Sequence, residues 1–375
     1  MEGMCLSEIL LNTDHPRICM ECRCNYCREG CTQYIETRDS VHTAYGIYVI
    51  AFASQIGLIE PTKELAEYFL YCTTCGLCKY RCTVSLLGTF YRKILDVPNH
   101  IIKIRSYFVE KGLIPSSAAK LLENLRKFNN PMGVSKELID LEKLGVKDGK
   151  EGVEVLFYIG ESRYDERNAK AVESAIRVLK AAGINFGVLR EEANSGDLAL
   201  RLGEIGLFEE FKEKNKEILE KYDMVVTFSP HDFHTFKNDY GLDNVTHISV
   251  FFKELIDDGK IKLKKGKGRA IYKDPCYLGR HNGIFDEPRE IISSIMNLEE
   301  FDANRYFAIC CGGGSGHVWL NLRKRQRASQ ILAQEIQEKN VDFVITACPV
   351  CTTMLEGENV KTLNISELIE KFLEV

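Results

Sequence analysis

The chain has 375 residues, 45% hydrophobic and 27% charged, with 49 basic against 54 acidic side chains and a formal charge of −5. That length allows two or three domains with buried cores, and the mildly acidic balance argues against nucleic acid as the main partner. Fifteen cysteines, odd in number and grouped in C-x-x-C runs, point away from a disulfide scaffold and toward metal or cluster ligation in a reducing compartment.

Met1 to Arg17 shows no apolar core behind a basic start, so no signal peptide is expected. Cys5, isolated and early, reads as a free thiol. The run CMECRCNYCREGC then supplies Cys19, Cys22, Cys24, Cys27 and Cys31. The longest apolar stretch, from Ala44 to Ile59, contains Ser54, Gln55 and two glycines. It predicts a buried helix rather than a membrane span. A cytoplasmic protein is expected, with peripheral docking on a membrane partner left open.

YCTTCGLCKYRC places Cys72, Cys75, Cys78 and Cys82 at C-x2-C-x2-C-x3-C. This is the bacterial ferredoxin spacing for a [4Fe-4S] cluster, with Thr83 where a proline usually follows. In that arrangement the fourth cysteine serves the neighbouring cluster. Cys31 is therefore expected to join Cys72, Cys75 and Cys78. Cys82 is expected to join three of Cys19, Cys22, Cys24 and Cys27, with Cys19, Cys22 and Cys27 preferred and Cys24 an alternate. Zinc, which also takes four thiolates, is the competing metal.

From Thr83 to about Asn130 the apolar spacing, including Ile101, Ile102, Ile104, Tyr107 and Phe108, is helical, with a restart at Pro115-Ser116-Ser117. Asn129 to Gly133 breaks the pattern, and a charged linker runs from Gly145 to Gly152, where the main domain boundary is placed. Beyond it, short apolar runs alternate with amphipathic ones. Strands are predicted at Val153 to Ile159, Phe186 to Leu189 and Met224 to Phe228, and helices at Asn168 to Ala182 and Glu209 to Lys221. The basic run Lys262 to Arg269 reads as a solvated turn. Strands follow at Ala270 to Tyr272, Tyr306 to Ile309 and Phe343 to Thr346, and helices at Pro288 to Met296 and Gln326 to Lys339. This order predicts parallel α/β units. DMVVTFSPHD (Asp223 to Asp232) and DFVITACPVC (Asp342 to Cys351) share a pattern that predicts an internal duplication.

The second group of cysteines is Cys276 in DPCYLGRHN, Cys310 and Cys311 in ICCGGGSG, and Cys348 and Cys351 in ACPVC. Five thiolates at the ends of parallel strands can converge in the crevice where such folds bind ligands. On these motifs and the ferredoxin-type run the sequence resembles the heterodisulfide reductase D-subunit family of iron-sulfur proteins. That family includes the iron-sulfur subunits of glycerol-3-phosphate, glycolate and lactate oxidising enzymes. The resemblance covers nearly the whole chain. It implies an α + α/β fold: an α-helical two-[4Fe-4S] ferredoxin domain (1–145), then a duplicated α/β CCG domain (152–262 and 268–375).

In the family an intact CCG motif holds a non-cubane [4Fe-4S] cluster at which a disulfide is cleaved. Cys276, Cys310, Cys311, Cys348 and Cys351 match one complete motif. In the first copy Glu161, Ser229 and Asp232 stand where cysteines would be and Asn194 lies near the expected Cys-Cys position, so no comparable cluster is expected there. Gly312 to Gly316 lacks the Lys-Ser/Thr of a phosphate-binding loop and predicts close backbone packing at the cluster. His281 and His317 read as hydrogen-bonded structural residues ahead of proton donors. Trp319 is expected near the cluster site.

Three readings follow. The leading one is an iron-sulfur electron-transfer subunit of an oxidoreductase complex. It would relay electrons between a flavoprotein, such as an FAD-linked oxidase or electron-transfer flavoprotein, and a CCG-site cluster coupled to a thiol/disulfide or quinone-type carrier. A membrane cytochrome subunit is a further partner the family suggests, and an anaerobic setting follows from family habit. The second is a catalytic disulfide reductase at the CCG cluster. The third is a zinc-stabilised scaffold around a two-cluster wire.

Overall fold

The computed structural model describes residues 15–83, 96–150 and 152–374. Cys5 lies outside the described residues, as do positions 84–95 of the expected helical stretch.

The N-terminal part is helical. Thr43 caps helix Ala44–Gln55 by accepting the amide of Gly46, and Thr62 caps Lys63–Leu70 by accepting that of Leu65. A side-chain oxygen here satisfies one of the donors a helix start leaves orphaned. Helix Val97–Glu110 opens with Pro98, and Ser116–Phe128 follows Pro115 and ends at Asn129 in the left-handed region, φ 61°. Ile47, Tyr48, Ala51, Phe69, Ile101, Ile104 and Phe108 form its core. No described helix is long and apolar enough to cross a membrane.

The remainder is built on two parallel sheets. The first contains β1 (Lys147–Asp148), β2 (Val155–Tyr158), β3 (Phe186–Val188), β4 (Met224–Thr227) and β5 (Val245–His247), in the order β1-β3-β2-β4-β5. The second contains β6 (Arg269–Lys273), β7 (Asn297–Glu299), β8 (Phe343–Thr346) and β9 (Thr362–Asn364), in the order β7-β6-β8-β9. The central strands are continuous apolar runs because helices cover both faces; all four residues of β2 are buried. The charged stretch read as a linker supplies the short edge strand β1. β5 and β9, each followed by a helix (Ile248–Asp257 and Ile365–Phe372), add to the strands the sequence predicts.

One predicted strand is absent. Residues Arg305–Phe307 form a 3-10 turn, and the outer strand of the second sheet is β7. Tyr306 stacks on Tyr80 at 4.7 Å and Arg81 lies over Phe307 at 5.1 Å. The Arg280 guanidinium takes the carbonyls of Tyr306 and Ala308. Aromatic and guanidinium partners replace a strand ladder there.

One apolar core runs through both sheet halves, from Val155 and Leu179 to Ile345 and Leu368. Polar clamps close the same seam. Arg167 pairs with Glu356 at 2.7 Å and Glu367 at 2.7 Å, and Arg177 pairs with Glu370.

Candidate metal centres

Two thiol-lined cavities occupy the helical part. One is lined by Cys31, Cys72, Cys75 and Cys78, with Ile47, Leu77 and Val97. These are the four cysteines the spacing groups together. The other is lined by Cys19, Cys22, Cys24, Cys27 and Cys82, with Cys78, Tyr45 and Tyr48 at its edge. Both Cys22 and Cys24 reach this cavity and both are exposed. The Thr83 hydroxyl is 3.4 Å from the Cys24 sulfur and 4.0 Å from that of Cys22.

The five cysteines of the second group also come together. Cys276 follows β6, Cys310 and Cys311 lie in the loop after the 3-10 turn, and Cys348 and Cys351 sit at the N-cap and first turn of helix Pro349–Glu356, after β8. All five are buried, and Cys311 and Cys351 sulfurs are 3.4 Å apart. The Cys310 sulfur accepts the Gly312 amide at 3.4 Å. Cys75 of the ferredoxin-type run packs in the same cluster of side chains, beside Cys310 and Cys276. The two kinds of site adjoin.

Several pieces hold the CCG loop in place. Asp274, two residues before Cys276, accepts both Arg289 nitrogens at 2.7 Å and the Arg305 amide at 2.9 Å. Glycine is required at Gly313 and Gly314, where an added Cβ would stand 2.5 Å from Val350 Cγ1 and 2.7 Å from the Thr73 carbonyl oxygen. The glycine run is thus pressed between the helix bearing Cys351 and the loop bearing Cys72 and Cys75. His281 Nε2 lies 3.0 Å from the Thr74 carbonyl oxygen. His317 Nε2 lies 2.8 Å from that of Leu70, with Lys324 Nζ 3.2 Å from Nδ1. Burial holds both imidazoles well below the usual histidine range, so both act as neutral tethers between the halves.

A feature that sequence reasoning missed tests whether anionic clusters fit. Three cations are buried with backbone carbonyls as their hydrogen-bond acceptors. Arg105, 2% exposed, donates to the carbonyls of Phe69, Leu70, Cys72 and Arg201. Arg280, 4% exposed, donates to those of Cys75, Tyr306 and Ala308. Lys273, 1% exposed, donates to that of Asp274 and feels Cys351, Cys311 and Cys310. A buried cation is costly without compensating negative charge. Thiolate-ligated clusters supply that charge, and the cations flank the thiols where they would sit. Burial pushes the Cys72 thiol up to about 11 and those of Cys31 and Cys78 well above the usual thiol range. Iron would supply the positive charge needed to ionise them.

The positions without cysteine converge as well. Glu161, Ser229 and Asp232 line a cavity of about 70 Å³ with Ser195, Asp197 and His231. Its opposite wall is Gly313 to Gly316, Trp319, Pro349 and Val350. Asn194 stands just behind, donating to Glu161 Oε1 at 3.1 Å. Ser229 and Cys348 are each an N-cap followed by proline.

Comparison with known families agrees with this geometry. Residues 18–86 match the 4Fe-4S dicluster domain and residues 270–356 the cysteine-rich CCG domain. The chain is 31% identical over 381 residues to the B subunit of the fumarate reductase (CoM/CoB) of Methanothermobacter marburgensis, covering 96% of this chain and 73% of that one. It is 28% identical to the EtfAB:quinone oxidoreductase of Syntrophomonas wolfei, over 94% and 58% of the two chains. It is 27% identical to the D subunit of the dihydromethanophenazine:CoB–CoM heterodisulfide reductase of Methanosarcina barkeri, over 94% and 91%. The chain spans about half the length of several curated relatives it matches, 45% in two and 58% in a third. The two domain matches assign it two [4Fe-4S] clusters and a further cluster in the CCG domain, with no need of zinc. The chain belongs to the family of iron-sulfur oxidoreductase subunits that includes the D subunit of heterodisulfide reductase and joins a 4Fe-4S dicluster domain to a cysteine-rich CCG domain.

Proposed function

We propose that the chain is the electron-relay subunit of an oxidoreductase complex, passing electrons between a flavoprotein and a proton-accepting carrier at the CCG site. In this reading Cys82 joins three of Cys19, Cys22, Cys24 and Cys27 on the outer cluster, and Cys31 joins Cys72, Cys75 and Cys78 on the inner one. Cys276, Cys310, Cys311, Cys348 and Cys351 hold the third. The domains are 1–145, 152–262 and 268–375, the last two a duplicated pair. Support for the duplication comes from the central strand order β3-β2-β4-β5 matching β7-β6-β8-β9. The flavoprotein partner is proposed from the name of the EtfAB:quinone oxidoreductase.

The observation that carries this reading is the packing of Cys75 beside Cys310 and Cys276. It leaves no insulating layer between the inner ferredoxin-type site and the CCG site. The clusters, when bound, supply one-electron transfers whose potentials respond to nearby charge and hydrogen bonds. The protein's own part is to hold the thiols, exclude water and set that charge through Arg105, Arg280 and Lys273.

The test is iron, sulfide and zinc analysis of anaerobically purified protein, with EPR during a redox titration. About twelve irons per chain and three titrating signals are expected. About eight irons and one zinc would sink the relay through the CCG site. The name of the heterodisulfide reductase relative favours a second reading, in which the CCG site itself reduces a disulfide.

A further inference from the structure

The run Lys262 to Arg269, read from sequence as a solvated turn, is clipped to the fold along its length. The Lys264 amide bonds the Phe372 carbonyl at 2.8 Å, and the Gly266 amide bonds that of Ile295 at 2.8 Å. Leu263 bridges Leu373, and a Cβ at Gly266 would stand 2.6 Å from the Phe372 ring. Gly268 takes φ 104° beside the Asp342 carboxylate, which accepts the Arg269 amide at 2.8 Å.

Lys262, Lys264, Lys265 and Lys267 are all exposed on this held loop. Two more lysines join them. Lys361, just before β9, and Lys371, in the last turn of helix Ile365–Phe372, are exposed and stand over the Phe343 ring at 4.5 and 5.9 Å. Strands β6 to β9 run parallel, so all six ammonium groups lie at the end of the sheet where the strands begin. None has an acidic partner among the described residues. Glu299 is taken by Arg269 at 3.4 Å and Glu370 by Arg177. Asp342 and Glu374 lie within the face, which stays strongly positive on a chain of net charge −5.

We propose that this face binds anionic lipid headgroups directly, seating the chain on a membrane surface. Cys276 and Cys348 follow the opposite ends of β6 and β8, so the CCG site stays on the side away from the lipid.

The chemistry of the face favours lipid over protein. An ammonium is a strongly hydrated point charge on a flexible stem, suited to a diffuse anionic layer rather than a fixed bidentate partner. Protein interfaces are instead built on aromatic and arginine anchors and are poor in lysine. The rings here, Phe343 and Phe372, are half-buried beneath the loop and the ammonium groups. Clusters of four to eight basic side chains are drawn to anionic leaflets, each adding to the attraction. β6 is five residues long and sets about 16 Å of strand between the face and Cys276. The face therefore serves attachment, not electron delivery.

Cosedimentation of the anaerobic, cluster-loaded full chain with vesicles tests this. Binding is expected to phosphatidylcholine vesicles containing about one third phosphatidylglycerol, and not to phosphatidylcholine alone. It should weaken at least about tenfold when salt rises from about 0.1 to about 0.5 M. The quadruple variant Lys262→Gln/Lys264→Gln/Lys265→Gln/Lys267→Gln should bind about a hundredfold more weakly, while Lys→Arg at the same four positions should bind like the parent. Lys103→Gln/Lys136→Gln/Lys143→Gln/Lys214→Gln, at exposed lysines elsewhere, removes the same charge and should also bind like the parent. Only exposed side chains change, so iron content and EPR signals should match the parent throughout. Failure of the parent to bind the anionic vesicles, or parental binding by the first quadruple variant, overturns the proposal. An equal loss in the Lys103 set overturns it too, because net charge rather than this face would then govern binding. Capture of the parent by poly-L-glutamate that the vesicles cannot compete away overturns it in favour of an acidic protein.

Discussion

The Thr74 hydroxyl, between two cysteines of the ferredoxin-type run, lies 2.9 Å from the Ser315 hydroxyl in the glycine run and 2.7 Å from that of Tyr277, beside Cys276. All three side chains are buried. One hydroxyl thus ties the loop bearing Cys72 and Cys75 to two of the three segments of the CCG motif. Thr74→Val leaves the Tyr277 and Ser315 hydroxyls short of a partner and should cost about 1–3 kcal/mol. In an EPR titration the inner-cluster and CCG-site signals should shift together, while the outer-cluster signal stays put.

Arg105 answers a different question, because its guanidinium touches the carbonyl of Cys72 and burial already lowers its own proton affinity to about 10. Arg105→Met removes a positive charge beside the inner cluster. Its reduction potential should fall by roughly 50–100 mV, the scale of one nearby charge in a partly screened interior. Redox-titrated EPR reads this shift without any assay of turnover. An unchanged potential would mean the charge of Arg105 is balanced elsewhere.

Arg289 and Asp274 form a doubly bonded pair that is nearly inaccessible, with side chains 6% and 4% exposed, and Glu300 adds a bond at 2.6 Å. Replacing Arg289 with Leu strands two carboxylates, one of them buried. The expected loss is about 3–5 kcal/mol, read as a lower urea midpoint. Iron content should drop at the CCG site first, because Asp274 anchors the segment that carries Cys276.

Glu161 makes stability depend on pH with a definite sign. Its carboxyl goes from 4.5 in the unfolded chain to about 7 in the fold, through burial and the nearby charge of Asp197, with Asn194 and His231 opposing. The folded form holds the proton more tightly. This contribution is therefore complete below about 4.5 and is lost as pH rises through about 7. Glu161→Gln cannot ionise, so its urea midpoint should fall less than the parent's between pH 5 and 8. A parallel decline in both proteins would assign the pH dependence to Asp232 or another neighbour.

How far the sequence carried differs from residue to residue. The C-x2-C-x2-C run brings Cys72, Cys75 and Cys78 together by local folding, and Cys31, from the earlier run, lines the same cavity. β2, β4, β6 and β8 were readable as apolar runs because each is buried on both faces. Tyr306 to Ile309 looked the same in composition, but its aromatic rings and carbonyls are claimed by Tyr80, Arg81 and Arg280 from elsewhere in the chain. β7, with the sequence Asn-Leu-Glu, is an edge strand that no apolar pattern announces. Arg105, Arg280 and Lys273 were illegible for a deeper reason. Most of their acceptors are distant backbone carbonyls, which every residue possesses, so nothing in composition marks them. The cavity too is made by the packing of two halves and has no local signature.

Along the proposed relay the thiols most open to solvent lie at the outer site and the least open at the CCG site. Cys22 and Cys24 are exposed, while Cys310, Cys311, Cys348 and Cys351 are each 3% exposed or less. An oxidant arriving from solvent therefore meets the outer cluster long before the CCG site. Brief exposure to air should sever the supply of electrons while leaving the far end intact, a form of damage that rebuilding one cluster would reverse.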